Sequence, residues 1–201
     1  MMRATDLAHL MMRRTLRAGD WAVDATAGNG HDTLLLAELV GPTGRVFGFD
    51  VQEAALTATA RRAGHLPQVM LFQAGHEELA ERLPNTGSAS GPTSGGVRLS
   101  GVMFNLGYLP GAPRDITTRA ETTIAGLEQA LARLRAHGLV TLVLYPGHPG
   151  GAEEAAAVRS HVQGLGEGLA VSRYARLNSM RPAPELLAIE RLGEDERPDV
   201  P

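Results

Sequence analysis

Apolar and polar positions along the chain alternate between two patterns. Short apolar runs of strand length are followed by longer stretches in which apolar residues recur at helical spacing. Near the N-terminus, Leu7, Leu10 and Met11 follow Thr5 and Asp6, which predicts a capped helix. Strands and helices that alternate in this way are typical of a parallel sheet with helices on both faces.

The full pattern predicts an α/β fold with seven strands in a mostly parallel sheet. The predicted strands span residues 21–26, 45–49, 69–73, 97–105, 139–145, 170–177 and 185–192. The predicted helices span residues 5–17, 31–40, 52–63, 76–82, 118–137 and 150–163. No helix separates the last two strands, so we expect them to form a closely connected pair.

The length of 201 residues corresponds to one domain with a full core, which we place at residues 1–193. Residues 84–96 are rich in Gly, Ser, Thr and Pro, which predicts a flexible loop within this domain. The acidic residues 194–201 are expected to be a disordered tail. The chain has no cysteine, which excludes disulfides, thiolate metal sites and a cysteine nucleophile.

The charge balance limits the partners that the protein can have. The net charge is −3, so a continuous basic surface for nucleic acid is not expected, and any RNA contact must be local. Two groups of arginines either hold RNA phosphates or simply solvate a face: Arg13, Arg14, Arg17, Arg173, Arg176 and Arg181. The apolar runs are far shorter than the roughly 20 residues that span a bilayer. Charged residues also interrupt any signal peptide near the N-terminus, so we predict a cytoplasmic protein without a membrane partner.

A glycine-rich turn follows the first predicted strand. Residues 24–31 read D-A-T-A-G-N-G-H, and glycines here allow a ligand to approach the backbone beside a helix N-terminus. Asp50 ends the second strand, twenty residues after Gly30, where a carboxylate can accept both hydroxyls of a cofactor ribose. Alone, such a turn can also be explained by the steric needs of a tight connection.

The same turn distinguishes between two cofactors. A dinucleotide fingerprint has a third glycine three residues after Gly30, but this chain has Thr33 there. That glycine allows close helix packing beside a pyrophosphate, so its absence disfavours nicotinamide and flavin dinucleotides. Asp24, four residues before the first glycine, fits a loop that binds S-adenosylmethionine (SAM). We therefore predict SAM as the cofactor.

Two further loops follow the fourth and fifth strands, next to the expected ligand crevice. Residues 105–111 read N-L-G-Y-L-P-G, in which Asn105 can accept a hydrogen bond from an amino group and Tyr108 offers a face for stacking. Residues 145–151 read Y-P-G-H-P-G-G, in which His148 is a candidate proton acceptor or substrate contact. Each loop also has a plain structural explanation, as a turn that closes a strand.

Several other polar residues have weaker signals. His76 follows the third strand, where the adenine of a cofactor would lie, or it simply begins a helix. Glu153 and Glu154 begin a helix, where acidic residues complement the helix dipole. The remaining histidines form no cluster with carboxylates at ligand spacing, so no metal site is predicted.

Taken together, the motifs resemble a known family. D-A-T-A-G-N-G-H-D-T, G-F-D-V-Q, F-N-L-G-Y-L-P-G, I-T-T, Y-P-G-H-P-G-G and N-S-M-R-P-A-P-E-L-L-A-I-E occur in this order between residues 5 and 192. This series is similar to that of the rRNA methylase family, which includes the YtqB-like proteins. The N-L-G-Y segment also resembles the N-P-P-Y motif of amino-group methyltransferases, with Leu-Gly in place of Pro-Pro.

The resemblance implies a class I methyltransferase fold, SAM as the cofactor and RNA as the substrate. Members of the MnmM type methylate the amine of 5-aminomethyl-2-thiouridine at the tRNA wobble position, so we expect the tRNA anticodon loop as partner; ribosomal RNA is the second choice. Homodimers are also expected from the resemblance. The rivals are a small-molecule methyltransferase and a nucleotide-binding module without catalysis.

The predicted site has a catalytic and a cofactor-binding part. The catalytic residues are expected to be Asn105, Tyr108 and His148. The cofactor is expected to contact Asp24, Ala27, Gly28, Asn29, Gly30, Asp32, Thr33, Asp50, Val51, Gln52, Gly75, His76 and Asn105.

Overall fold

A computed structural model describes residues 2–84, 98–107 and 117–193. Within these ranges the helices are α1 (Ala4–Thr15), α2 (His31–Val40), α3 (Glu53–Ala63), α4 (Leu79–Arg82), α5 (Ala120–Arg133) and α6 (Gly151–Gln163). The strands are β1 (Trp21–Asp24), β2 (Arg45–Asp50), β3 (Val69–Gln73), β4 (Leu99–Asn105), β5 (Leu134–Leu144), β6 (Leu169–Tyr174) and β7 (Glu185–Arg191). A 3₁₀ turn, His76–Glu78, precedes α4.

The seven strands form one sheet in the order β3-β2-β1-β4-β5-β7-β6. The first five are parallel, and β7 runs antiparallel to both β5 and β6. The strand order reverses between β1 and β4, so the carboxyl ends of these two strands open the crevice where ligands bind in such sheets. The predicted α/β sheet with a closely connected final strand pair is therefore confirmed.

Each face of the sheet has its own apolar core. On one face, α1 and α2 pack through residues such as Met12 and Leu36. On the other face, α5 and α6 pack through residues such as Leu127 and Val158. Gly101 allows α1 to lie close to β4, because a Cβ there would come within 2.9 Å of the Met12 sulfur. Helices thus cover both faces, as predicted.

Several element boundaries differ from the prediction. The helix predicted over residues 118–137 ends at Arg133, and β5 begins at once. Leu134 is fully buried and pairs with Leu99, and the pairing then skips to Gly101 opposite Leu139. His137 has a φ of 57°, which a helix does not accommodate. Burial of Leu134 against β4 therefore outweighs the helical periodicity.

The first helix also begins earlier than predicted. It starts at Ala4, and Asp6 lies in its first turn, where its carboxylate accepts a hydrogen bond from the Arg3 backbone N–H. Residues 85–96 of the predicted loop lie outside the described residues, as do residues 194–201. Among the described residues, no helix is long and apolar enough to cross a membrane.

Candidate active site

A cavity of about 1190 Å³ lies at the carboxyl ends of β1, β2, β4 and β5. Most of the residues predicted for the site line it: Ala27, Gly28, Asn29, Asp32, Asp50, Val51, Gln52, Gly75, His76, Asn105 and His148. The parallel strands bring these distant motifs to one edge because their carboxyl ends all point in the same direction.

The glycine loop is held against the end of β2. The Asp50 carboxylate accepts hydrogen bonds from the backbone N–H groups of Gly28 and Gln52, each at 2.9 Å. One bond goes to each carboxylate oxygen, so each oxygen keeps acceptor capacity for a ligand hydroxyl. Gly28 has a φ of 52°, which favours glycine at this position.

Three residues predicted to contact the cofactor are not among those that line the cavity. Asp24 is fully buried and accepts hydrogen bonds from the Thr33 hydroxyl at 2.5 Å and the Thr26 N–H at 3.2 Å. Gly30 has a φ of 77°, and a Cβ there would lie 2.8 Å from the backbone of Thr59 on α3. The placement of Asp24, Gly30 and Thr33 thus favours support of the loop over direct contact with a ligand.

Carboxylates give the loop region a negative potential. Burial, together with the nearby charge of Asp32, raises the pKa of Asp24 to about 7. Asp32 and Asp50 both line the cavity. A cationic ligand such as a sulfonium or an ammonium is therefore favoured here over an anion.

His76 forms the wall of the cavity beyond β3. Its Nδ1 lies 3.1 Å from the Ala25 carbonyl oxygen, so Nδ1 donates, and in the neutral ring Nε2 is the acceptor. Burial lowers the pKa of His76, which favours this neutral form. Within the described residues, Nε2 is buried and has no hydrogen-bond partner. Because Nε2 has no exposed surface, the His76 ring can border a ligand in the cavity but does not offer it this acceptor.

Asn105 lies at the end of β4, at the point where the strand order reverses. Its backbone N–H donates to the Thr26 hydroxyl at 2.7 Å, which joins β4 to the loop after β1. Its side-chain Nδ2 lies 3.4 Å from an oxygen of Asp32. Tyr108, predicted to act with Asn105, lies outside the described residues.

A network of hydroxyl groups holds the chain after Asn105. The Gly107 N–H donates to the Thr118 hydroxyl at 2.9 Å, and that hydroxyl donates to Glu154 at 2.8 Å. Glu154, on α6, also accepts from the Thr123 hydroxyl at 2.8 Å and is 5% exposed. In the sequence, Glu154 is explained by the helix dipole alone, and this link could not be predicted, because no local pattern relates residues 107, 118 and 154.

The third loop contributes His148 and a residue that the predicted site omitted. The His148 ring lies close to Gly107, where a Cβ would be 3.5 Å from Nε2, and its Nδ1 lies 2.9 Å from the Pro149 carbonyl oxygen. Tyr145 also lines the cavity, and burial and the charge of Asp32 raise its pKa. Its phenol is therefore neutral at physiological pH. Tyr145 lies at the end of a predicted strand, and this position is the sequence feature that could have identified it as part of the site.

The sequence also did not indicate that His9 contacts a residue of the site, because His9 lies on α1, far from every motif. Its Nε2 lies 2.6 Å from an Asp32 oxygen. Among the described residues, no three His, Asp or Glu side chains are grouped to hold a metal ion.

The residues at one end of the cavity suit an adenosyl cofactor. Asp50 has acceptor capacity for ribose hydroxyls, and the His76 ring lines the same cavity, where it can border an adenine. The loop backbone at Gly28 and Asn29 is open to the cavity. The donor set at this site therefore fits SAM.

Residues 46–190 match a family described as "Putative rRNA methylase". A chloroplastic tRNA (mnm5s2U34)-methyltransferase of Arabidopsis thaliana is 36% identical over 183 residues, which cover 86% of this chain. The chain spans 62% of the length of that curated relative.

Two solved structures resemble the whole fold. A "putative rRNA-methylase" from Clostridium thermocellum is 35% identical, with a TM-score of 0.87 over 96% of this chain and 99% of that one. A "putative methyltransferase" from Streptococcus mutans, crystallised with S-adenosylhomocysteine (SAH), is 30% identical, with a TM-score of 0.82 and the same coverage. The predicted fold and the predicted class of SAM-dependent methyltransferases are confirmed, and the chain belongs to the "Putative rRNA methylase" family.

Proposed function

We propose that this chain is a SAM-dependent methyltransferase that methylates the amine of 5-aminomethyl-2-thiouridine at the tRNA wobble position. The observation that carries the proposal is the Asn105 amide at the end of β4, in a cavity lined by Asp32 and Asp50. An amide oxygen can orient an amino group, and the carboxylates favour a cationic cofactor and a basic substrate. The 36% identity to the Arabidopsis thaliana enzyme supports the choice of substrate.

The cofactor would be held at the β1–β2 side of the cavity. Asp50 would accept the ribose hydroxyls, and His76 would border the adenine. The hydrogen bond between Asp24 and Thr33 supports the glycine loop. When bound, SAM supplies a methyl group on a sulfonium, which a nitrogen lone pair takes by in-line displacement.

The protein contributes mainly orientation at the substrate side. An ammonium has no lone pair, so the amine must lose a proton before it reacts. Asn105 would accept a hydrogen bond from the neutral amine and so direct its lone pair away from the amide. Such orientation is worth effective molarities of roughly 10⁵–10⁸ M in well-held systems. His148 is the candidate acceptor of the proton, and Tyr108 the candidate stacking partner of the base.

The rim of the cavity has features that suit RNA. Pro182 and Pro184 line the cavity, and they follow a loop on which Leu177 and Met180 are 100% and 99% exposed. Exposed apolar side chains can pack on unstacked bases, and exposed arginines on the same loop can bind phosphates. A wobble base lies in a single-stranded loop, so it can enter a pocket at little unstacking cost.

The test is methylation of tRNA that carries a free 5-aminomethyl-2-thiouridine, followed by mass spectrometry of the wobble nucleoside. We expect the parent protein with SAM to add one methyl group to this nucleoside. The Asn105→Ala variant should lower the rate about 10- to 100-fold and leave the SAM affinity nearly unchanged. Matched tRNA without the aminomethyl group is the control. Methylation of ribosomal RNA or a small amine in place of this tRNA would contradict the proposal.

The homodimer and the cytoplasmic location stay predictions. Sedimentation of the purified protein over a range of concentrations would measure the first, and imaging of the tagged protein in its own cells the second.

A further inference from the structure

Three polar side chains form a chain beside the cavity: Asp32 and Asn105 line it, and His9 contacts Asp32. His9 Nε2 lies 2.6 Å from one oxygen of Asp32, and Asn105 Nδ2 lies 3.4 Å from the other. His9 comes from α1, Asp32 from the first turn of α2, and Asn105 from the end of β4. Three elements that are remote in sequence thus converge on one carboxylate.

The bonding roles in this chain follow from the chemistry of the carboxylate. A carboxylate can only accept hydrogen bonds, so His9 Nε2 must carry a proton and Asn105 must present its NH₂ group to Asp32. The other end of the amide, Oδ1, is then left as an acceptor. The orientation of Asn105 is therefore fixed by its partner.

This orientation matters for an amine nucleophile. A carbonyl oxygen accepts the N–H of the amine and leaves the nitrogen lone pair available. If the amide turned by 180°, its NH₂ group would donate to the lone pair and occupy the electrons that must attack the methyl group.

The burial of Asp32 explains why a donor such as His9 is needed at its carboxylate. The Asp32 side chain is only 9% exposed, whereas that of His9 is 30% exposed. A largely buried carboxylate needs donors in place of water, and His9 supplies the shorter of its two side-chain bonds. Ala8 and Met12 anchor α1 on the sheet with no exposed surface, which fixes the position from which His9 reaches Asp32.

We propose that Asp32, held by His9, is a positioning residue that fixes Asn105 with its oxygen toward the substrate amine. The proposal rests on the proposed function for its chemistry, but the orientation of Asn105 can be measured without a substrate.

The activity test uses His9→Leu, His9→Gln and Asp32→Asn with the tRNA described above. Leu removes the donor, whereas the amide of Gln can donate to Asp32 from a similar place. We expect His9→Leu to lower kcat about 10- to 100-fold, with the KM for tRNA and the SAM affinity within about threefold of the parent, and Asp32→Asn to lower kcat by a similar factor. His9→Gln should recover kcat to within about threefold. The matched control is His65→Leu, at an exposed histidine outside the cavity.

The substrate-independent test is the NMR signal of the Asn105 side-chain NH₂ group, assigned through Asn105→Ala. We expect this signal to shift in His9→Leu and Asp32→Asn and to keep its parent position in His9→Gln and His65→Leu. An unchanged signal in folded His9→Leu and Asp32→Asn overturns the proposal, as does equal kcat in His9→Leu and His9→Gln. If the parent shows no turnover on tRNA, the proposed function fails, and the NMR result alone then decides the positioning role.

Discussion

Asp50 has a structural role in the fold beside the ribose-binding role proposed for it. It accepts the N–H groups of Gly28 and Gln52 and lines the cavity. Its carboxylate therefore holds the glycine loop and the start of α3 in place even before a ligand binds. The sequence spacing predicted the ribose-binding role of Asp50 but not its hydrogen bonds to the glycine loop.

Asp50→Ala should weaken SAM binding about 10- to 100-fold, because charge-assisted hydrogen bonds contribute roughly 1.5–3 kcal/mol. Isothermal calorimetry with SAM or SAH measures this change. Glu53→Ala is the matched control, since Glu53 is an exposed acidic residue three positions later, outside the cavity. Parent affinity in a folded Asp50→Ala protein would show that the ribose is held elsewhere.

The raised pKa of Asp24 predicts that the free energy of unfolding depends on pH. Its pKa is raised from 3.8 to about 7 in the fold, so the folded state binds this proton more tightly than the unfolded state. The free energy of unfolding should therefore fall as the pH rises from about 4 to about 7, by at most about 4 kcal/mol from this group. Asp24→Asn, which can keep bonds to Thr26 and Thr33, should lack this component. Urea unfolding of both proteins at several pH values measures the difference.

The exposed Glu121→Gln change is the control for Asp24 and should leave the pH dependence as in the parent. If the curves of the parent and Asp24→Asn run parallel between pH 4 and pH 7, Asp24 does not titrate in this range.

At the scale of elements, the chain after β4 depends on two helices. Thr118, just before α5, accepts the Gly107 N–H, and Glu154 on α6 accepts the Thr118 hydroxyl. The segment that follows Asn105 is thereby tied to helices on one face of the sheet. A helix far along the chain thus holds the backbone at Gly107, two residues after Asn105.

Glu154→Ala should destabilise the protein by roughly 1–3 kcal/mol, because it leaves the buried Thr123 hydroxyl and the half-buried Thr118 hydroxyl without their acceptor. It should also speed hydrogen exchange at the Gly107 amide, whose partner Thr118 loses its anchor. Glu153→Ala is the matched control, since Glu153 immediately precedes Glu154 in the same helical turn and is exposed. Unchanged exchange at Gly107 in Glu154→Ala would mean that Thr118 is held without Glu154.

At the scale of the whole molecule, the net charge of −3 means that the tRNA proposed as substrate would have to be bound through a local basic surface. Arg173 is bound to the buried Glu185 at 2.7 Å, so it belongs to the framework of β6 and β7. Arg176 and Arg181 instead lie exposed on the loop that leads to the cavity. These two arginines are therefore the expected phosphate contacts.

The Arg176→Ala, Arg181→Ala double variant should bind an anticodon stem-loop more weakly and with a salt dependence reduced by about one unit of slope per arginine. Fluorescence anisotropy over a range of salt concentrations measures both. Arg45→Ala is the control, because Arg45 is exposed at the start of β2, at the sheet edge opposite the cavity. Equal slopes for the double variant and the parent would place the RNA on another surface.

The sequence by itself determined the elements, their alternation and the motifs at strand ends. Apolar periodicity reports burial directly, and a parallel sheet brings the carboxyl ends of its strands to one edge, so Gly28, Asp50 and Asn105 could be grouped without coordinates. Apolar periodicity gave a wrong prediction at residues 134–137, which were expected to be helical. There, burial of Leu134 against Leu99 outweighs helical spacing, and the residues belong to β5.

Only the tertiary structure decided which polar groups meet across long separations. Asp24 reads as a ligand contact from its place in the glycine motif, yet it lies buried below the loop and bonds Thr33. His9 has no motif at all, and the packing of α1 against β4 is what brings it to Asp32. Hydrogen bonds between side chains depend on distance and direction in space, and neither is encoded in a local pattern of residues.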